Sequence, residues 1–208
     1  YFFDTIDEIK RYSLFNHFRY ADRSYVISKM LSKKINKSFN LKTYFCPQFI
    51  NTNFWYNKNS YKDIDVLFIG TKFKYRNEII TYLENNDISV VKKGLGWNKQ
   101  PIFGNELIKT MARSKIVLNF TRDKLSFSVR VYQVLSTGNF LLSSKSYELN
   151  NTFNKKQHFD DFDSKEDCLS KVSFYLNNPQ KLKKIAKNGM NYVNRNFNSS
   201  KIIKKYFI

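Results

Sequence analysis

The chain has 208 residues, two cysteines and a formal charge of +19, a length that carries one large domain, or one and a half small ones, with a core that needs no disulfide. Cys46 and Cys168 stand far apart without CxxC spacing, and neither an apolar run of about 18 residues nor a signal-peptide pattern occurs, which excludes disulfide scaffolds, zinc knuckles and helical membrane spans and leads us to expect a cytoplasmic protein. The charge points to an anionic partner, yet the basic residues are scattered and Lys, Asn, Ile, Phe and Tyr abound while Ala, Gly and Pro are scarce, as an AT-rich coding sequence produces.

Taken in chain order, IDEIKRYSLFNHFRY reads as helix, ADRSYVISKMLSKKI as a short strand running into a helix, and LKTYFCPQFINTNFW as a strand and an irregular connector. Together residues 1–60 resemble the end of an α/β unit. The chain opens on Tyr1 and an aromatic segment, so we expect sequence upstream. From Asp63 onward strand and helix signals alternate. DVLFIG is a short apolar run ended by glycine, as in a parallel strand buried on both faces. YRNEIITYLENN is amphipathic, ISVVKK is a second strand, and GLGWNKQPIFG is a loop. NELIKTMARS, KIVLNF, TRDKLSFS, VRVYQVLST and NFLLSS then read as helix, strand, polar loop, helix and strand, with Gly138 closing the last helix. Four such units predict a doubly wound α/β domain with a parallel sheet over residues 61–196. SKEDCLSKVSFYL opens with capping-box-like spacing at Ser164 and Asp167, NPQKLKKIAKNGMNYVNRNF starts with a proline suited to a first turn, and residues 197–208 form a closing helix that we expect to cross back to the first unit.

Several segments, in order, resemble the group 1 or family 4-like glycosyltransferases of the GT-B fold, in the branch typified by spore-maturation glycosyltransferase-like proteins. ADRSYVISKMLSKKI and TYFCPQFINTNFW resemble the family's "AD, strand, Ser, helix" unit and its linking "IPNGVD…F" segment. DIDVLFIGTKFKYRNEIITYL resembles the first strand, loop and helix of the donor-binding domain, with Arg76 where this branch tends to have arginine. IFGNELIKTMARSKIVLNFTR resembles "FLG…EL…YxxADVxVxPS", and RVYQVLSTGNFLLSS resembles "RVFEALACGAFLLT". The likeness spans about residues 20–195 and implies the donor-binding half of a two-domain enzyme, Rossmann-like, whose N-terminal acceptor domain is represented here only by its last elements.

In open α/β sheets, ligands sit at the carboxyl ends of the strands, where loops and helix N-termini converge. Lys72, Lys74 and Arg76 follow the first strand; there they suit a donor diphosphate, or equally a solvated turn. Arg122 follows KIVLNF, and Arg130 opens the next helix, where a cation opposes the helix dipole and is costly unless an anion is near, which favours a phosphate over the alternatives of a salt bridge to Asp123 or a surface position. Phe127, Ser128 and Val129 occupy the positions where relatives have a glycine-rich, phosphate-binding loop. The resemblance further implies two carboxylates eight positions apart, but Leu125 and Gln133 stand there. Gln133 can still bond ribose hydroxyls, whereas Leu125 cannot stabilise charge, and Asp123 is the neighbouring substitute. Gly96 beside Trp97 suits the nucleoside side of the cleft, while Trp97 itself suits packing.

We expect no metal cofactor. Asp63 and Asp65 spell DxD but begin a buried strand, the acids Asp160, Asp161, Asp163 and Asp167 lack the pattern of a calcium loop and suit a helix N-terminus, and His17 and His158 lack ligand spacing. The expected activity is transfer of a sugar from a nucleotide-diphosphate sugar, metal-independent and retaining, to a carbohydrate, lipid or protein acceptor, with peripheral membrane contact and no specific nucleic acid. A degenerate scaffold or carbohydrate-binding module that lost its carboxylates, and a basic nucleic-acid or anionic-membrane binder, are the competing readings.

Overall fold

The computed structural model describes residues 15–55, 61–97, 100–121 and 124–208. A first unit comprises α1 (Phe15–Tyr20), β1 (Ser24–Val26), α2 (Lys29–Phe39), β2 (Thr43–Phe45) and the short α3 (Thr52–Trp55), with β1 and β2 parallel across the α2 crossover. Helix α2 starts where the Ser28 side chain accepts the Leu31 N–H at 3.0 Å, and ends at Asn40, whose φ of 49° is the left-handed cap that asparagine tolerates.

The larger unit runs β3 (Ile64–Ile69), α4 (Lys74–Glu84), β4 (Val90–Lys93), α5 (Gly104–Ala112), β5 (Ser114–Asn119), α6 (Arg130–Ser136), β6 (Phe140–Ser144), α7 (Tyr147–Thr152), β7 (Asp160–Phe162), α8 (Lys165–Asn177), α9 (Pro179–Asn196) and α10 (Ser199–Phe207). The five strands form one parallel sheet in the order β4-β3-β5-β6-β7. Alternate residues feed two cores, as a two-residue period requires. Leu67, Val117 and Leu141 pack with Leu107, Met111 and Leu135 on one face, while Val66, Phe68, Ile116, Leu118 and Phe140 pack with Ile80, Leu83, Val172 and Ile185 on the other. The doubly wound parallel sheet is as expected. Ser164 accepts the Asp167 N–H at 3.1 Å, and Gly138 takes a φ of 71° just past α6.

Two elements differ from the sequence reading. Residues 147–152 form α7, and Asp160 and Asp161, expected at a helix N-terminus, instead belong to the edge strand β7, where they are 2% and 1% exposed. An acidic pair is a poor strand signal; here each acid is held by partners that local sequence does not reveal. Asp160 accepts from the Tyr175 hydroxyl at 2.8 Å and the Asp161 N–H at 2.9 Å, and Asp161 accepts from the Asn150 side-chain amide and is ion-paired with Lys155.

The first unit is tied to the larger one by polar contacts. The Ser28 hydroxyl donates to the Leu125 carbonyl at 2.7 Å, and the buried Glu148 carboxylate accepts the Lys29 N–H at 3.1 Å and the Met30 N–H at 3.5 Å, so an acid sits at the positive end of α2. Helix α10 reaches the same unit: Ser199 N–H donates to Ile50 O, and the Tyr25 hydroxyl to Tyr206 O at 3.3 Å. Among the described residues no helix is long and apolar enough to cross a membrane.

Candidate functional site

In the order β4-β3-β5-β6-β7, the connections from β3 and β5 leave toward opposite faces, so a crevice opens between the carboxyl ends of these two strands. A pocket of about 240 Å³ lies there, walled by Phe68, Gly70, Thr71 and Phe73 from the β3 end, Asn119, Phe120 and Thr121 from the β5 end, and Ser126, Phe127, Ser128 and Arg130 from the segment entering α6, with Arg76 reaching in from α4. Its size is below the roughly 300–1,000 Å³ of a drug-sized ligand pocket, which suits a compact group such as a diphosphate with the rest of a ligand lying outside.

Arg76 is 9% exposed. Its Nη1 donates to the Thr71 carbonyl at 3.0 Å and its guanidinium lies 4.8 Å from the Phe73 ring centre and 5.7 Å from that of Phe68, while Nε has no hydrogen-bond partner. The aromatic faces hold the cation in place without neutralising it. Arg130 is half-buried, its Nη1 is buried without a partner, and burial pushes its guanidinium down to about 10, still cationic at neutral pH. Among the described residues no carboxylate lines the pocket. Two guanidiniums therefore face one crevice with N–H donors unspent, an arrangement that is costly unless an anion enters.

The wall is positioned by packing behind it. Phe127 is 6% exposed and sits against Tyr132 and Phe153, their ring centres 5.5 and 5.9 Å away, which anchors the loop that carries Ser128 and Val129. The first-turn N–H groups that follow have no intrahelical acceptor, while Val131 N–H already turns back to Ser128 O. Asn119 donates to Ser143 Oγ at 2.9 Å and the Thr121 N–H donates to Ser144 Oγ at 2.9 Å, so β6 braces the β5 end.

Of the residues singled out in the sequence, the structure brings together Arg76, Phe127, Ser128 and Arg130 at this pocket; Val129 is the exposed cap residue beside it. Lys72 and Gly96 stand outside the lining: the Lys72 ammonium lies 5.3 Å from the Trp97 ring centre, and a Cβ on Gly96 would meet Lys72 Cβ at 2.9 Å. Lys74 is exposed at the start of α4. Gln133 is half-buried one turn into α6, with Oε1 unpartnered and away from the pocket wall. Trp97 donates to Gly70 O at 2.9 Å and packs edge-on to Phe68. Gly94 beneath it has a φ of 125°, and a Cβ there would stand 2.4 Å from Gly70 O, so only glycine closes this loop onto the β3 end. Arg122 and Asp123 lie outside the described residues. Asp63 and Asp65 are paired with Arg113 and Lys115 at the opposite end of the sheet, and among the described residues no three His, Cys, Asp or Glu side chains group as metal ligands would. Sequence reasoning missed Phe73, Asn119, Thr121 and Ser126; position at a strand's carboxyl end is the signal that could have found them.

A model of the family described as glycosyl transferase-like matches residues 72–207. No curated protein matches the chain. Among solved structures, Anabaena HepE in complex with UDP and glucose is similar over 99% of this chain and 69% of its own, at 11% identity and a TM-score of 0.77. Sucrose-phosphate synthase from Thermosynechococcus elongatus is similar over 96% of this chain and 60% of its own, at 14% identity and a TM-score of 0.73. The C-terminal domain of a glycosyl transferase group 1 family protein from Francisella tularensis is covered over 99% of its length by 72% of this chain, at 13% identity and a TM-score of 0.54. At these identities the likeness shows the fold.

Proposed function

The chain belongs to the glycosyl transferase-like family, and on that premise we propose that the crevice between β3 and β5 binds the diphosphate of a nucleotide-diphosphate sugar whose sugar is then transferred to an acceptor. The observation that carries this reading is the pair of guanidiniums, Arg76 and Arg130, which line a pocket that no acid lines among the described residues and whose buried Nε and Nη1 donors are unspent. Guanidinium matches phosphate oxygens two N–H at a time. As the bond from sugar to diphosphate breaks, negative charge grows on the leaving phosphate, and fixed cations stabilise that charge more than they stabilise the bound donor. On this account the two arginines meet the charge that a metal meets in other transferases, and the reaction is metal-independent.

The HepE structures include complexes with UDP and with UDP-glucose, which supports a uridine donor as the first to try. Gln133 stands where the family has a ribose-binding glutamate, and its unpartnered Oε1 suits a sugar hydroxyl. Ser128 and Val129 present the loop that meets the distal phosphate. Retention of configuration, and a carbohydrate, lipid or protein acceptor, complete the proposal. Titration calorimetry with UDP, UDP-glucose, GDP-mannose and ADP-glucose tests it: saturable binding of one of them supports the reading, and no binding of any contradicts it.

One observation favours a second reading, in which the donor binds without transfer. Leu125 replaces the first carboxylate of the family pattern, its carbonyl is taken by Ser28, and no acid lines the pocket among the described residues. Nucleotide binding with neither transfer nor donor hydrolysis would establish that reading.

A further inference from the structure

At the opposite end of the sheet from the arginine pair lies a larger and mainly apolar cavity, of about 590 Å³, within the size range of small-molecule sites. Tyr175 and Leu176 of α8 and Leu182, Ala186 and Met190 of α9 form its walls. Cations rim it. Lys62 stands in the segment before β3, and Lys183 and Lys187 lie one turn apart on α9. Lys115 also lines the cavity but is already paired with Asp65 at 2.5 Å.

Lys62 is the unusual member. Its ammonium donates to the Ser114 carbonyl at 2.8 Å and to Asn139 Oδ1, both neutral acceptors, which occupy two of its three N–H bonds. Among the described residues no carboxylate pairs with Lys62, Lys183 or Lys187. Burial without a counter-charge pushes the Lys62 amine down to about 8. An ammonium half-buried beside apolar walls, with one N–H left over, is completed by an anion carrying an apolar body. Phosphate alone would leave the walls wet, and a hydrocarbon alone would leave the cations unpaired.

We propose that this cavity is a binding site for a small amphipathic carboxylate, an aliphatic chain lying along Leu182, Ala186 and Met190 with its carboxylate paired to Lys62 and within reach of Lys183 and Lys187. The site is separate from the arginine crevice and does not rest on the donor reading. Its occupancy would fix the Lys62 segment, which ties β5 and β6 through Ser114 and Asn139.

Titration calorimetry with decanoate and, as an uncharged control, decanol is the test. Decanoate is expected to bind one to one, and decanol about tenfold or more weaker, since it cannot form the charged pair. Lys62→Met should weaken decanoate about tenfold and leave decanol unchanged. The exposed pair Lys183→Glu with Lys187→Glu should weaken it by a smaller factor without touching the fold. Decanoate and UDP should bind together, each without effect on the other's stoichiometry. Decanol binding as tightly as decanoate, decanoate affinity that ignores all three lysines, competition with UDP, or no decanoate binding at all would each overturn the proposal. The comparison of acid with alcohol on the unaltered protein decides the matter even where Lys62→Met fails to fold.

Discussion

Two regions of this molecule bury charge, and they treat it in opposite ways. At the edge of the sheet, Asp160 and Asp161 are almost wholly enclosed, and each is met by donors or cations from Tyr175, Asn150 and Lys155, while Lys171 donates to the Asp161 carbonyl at 2.5 Å. In the crevice between β3 and β5, Arg76 and Arg130 are held by packing, aromatic faces and one carbonyl, and keep N–H donors without acceptors. A buried charge whose partners are all internal is part of the scaffold. One left open in a pocket is a site waiting for its partner. The contrast separates charge that is met within the scaffold from charge left without a partner, in a chain whose net charge alone says little about either.

The largest expected effect breaks the closed side. Asp160→Ala strands the Tyr175 hydroxyl and the Asp161 N–H, and should lower unfolding free energy by on the order of 3 kcal/mol, read as a shift in the urea midpoint at constant slope, with nucleotide affinity intact at a permissive temperature. Next, Arg130→Met should weaken nucleotide-diphosphate binding by about tenfold to a hundredfold, the factor that corresponds to about 1.5–3 kcal/mol for a charge-assisted hydrogen bond, while the urea midpoint stays put or rises. Arg76→Met lies between the two regions in character, because the guanidinium also holds Thr71 O and stacks on Phe73. It should cost about tenfold in affinity and about 1 kcal/mol in stability together. Smallest is Lys72→Ala: its ammonium lies over the Trp97 ring outside the pocket wall, so affinity should change by less than about threefold, as an exposed cation commonly gives. A Lys72 effect as large as that of Arg130 would move the anion site out to the loop after β3.

The alternating strand and helix signals after Asp63 were readable because each parallel strand is a short apolar run and each helix has its own stripe, patterns that local residues dictate. β7 was not, because its acids become tolerable only through Tyr175, Asn150 and Lys155, which are distant in sequence or unremarkable by themselves. At the crevice, Arg76 and Arg130 were legible from chemistry and position: an arginine at the mouth of a helix needs a reason. Which basic residues share one pocket was not legible. Lys72 is only four positions from Arg76, yet the helical turn at α4 aims Arg76 inward while Lys72 folds back over Trp97. Gln133 was placed by family pattern, and the structure puts it one turn into α6, outside the pocket wall.

Titration of UDP against the unaltered chain and the Arg76→Met, Arg130→Met double variant tests the central claim most directly, with urea unfolding run on both to show that each is folded. Saturable binding by the unaltered chain, lost in the folded double variant, is the predicted result. Binding of equal strength to both, or no binding of UDP or of any of the other nucleotide sugars to either, would contradict an arginine-built diphosphate site.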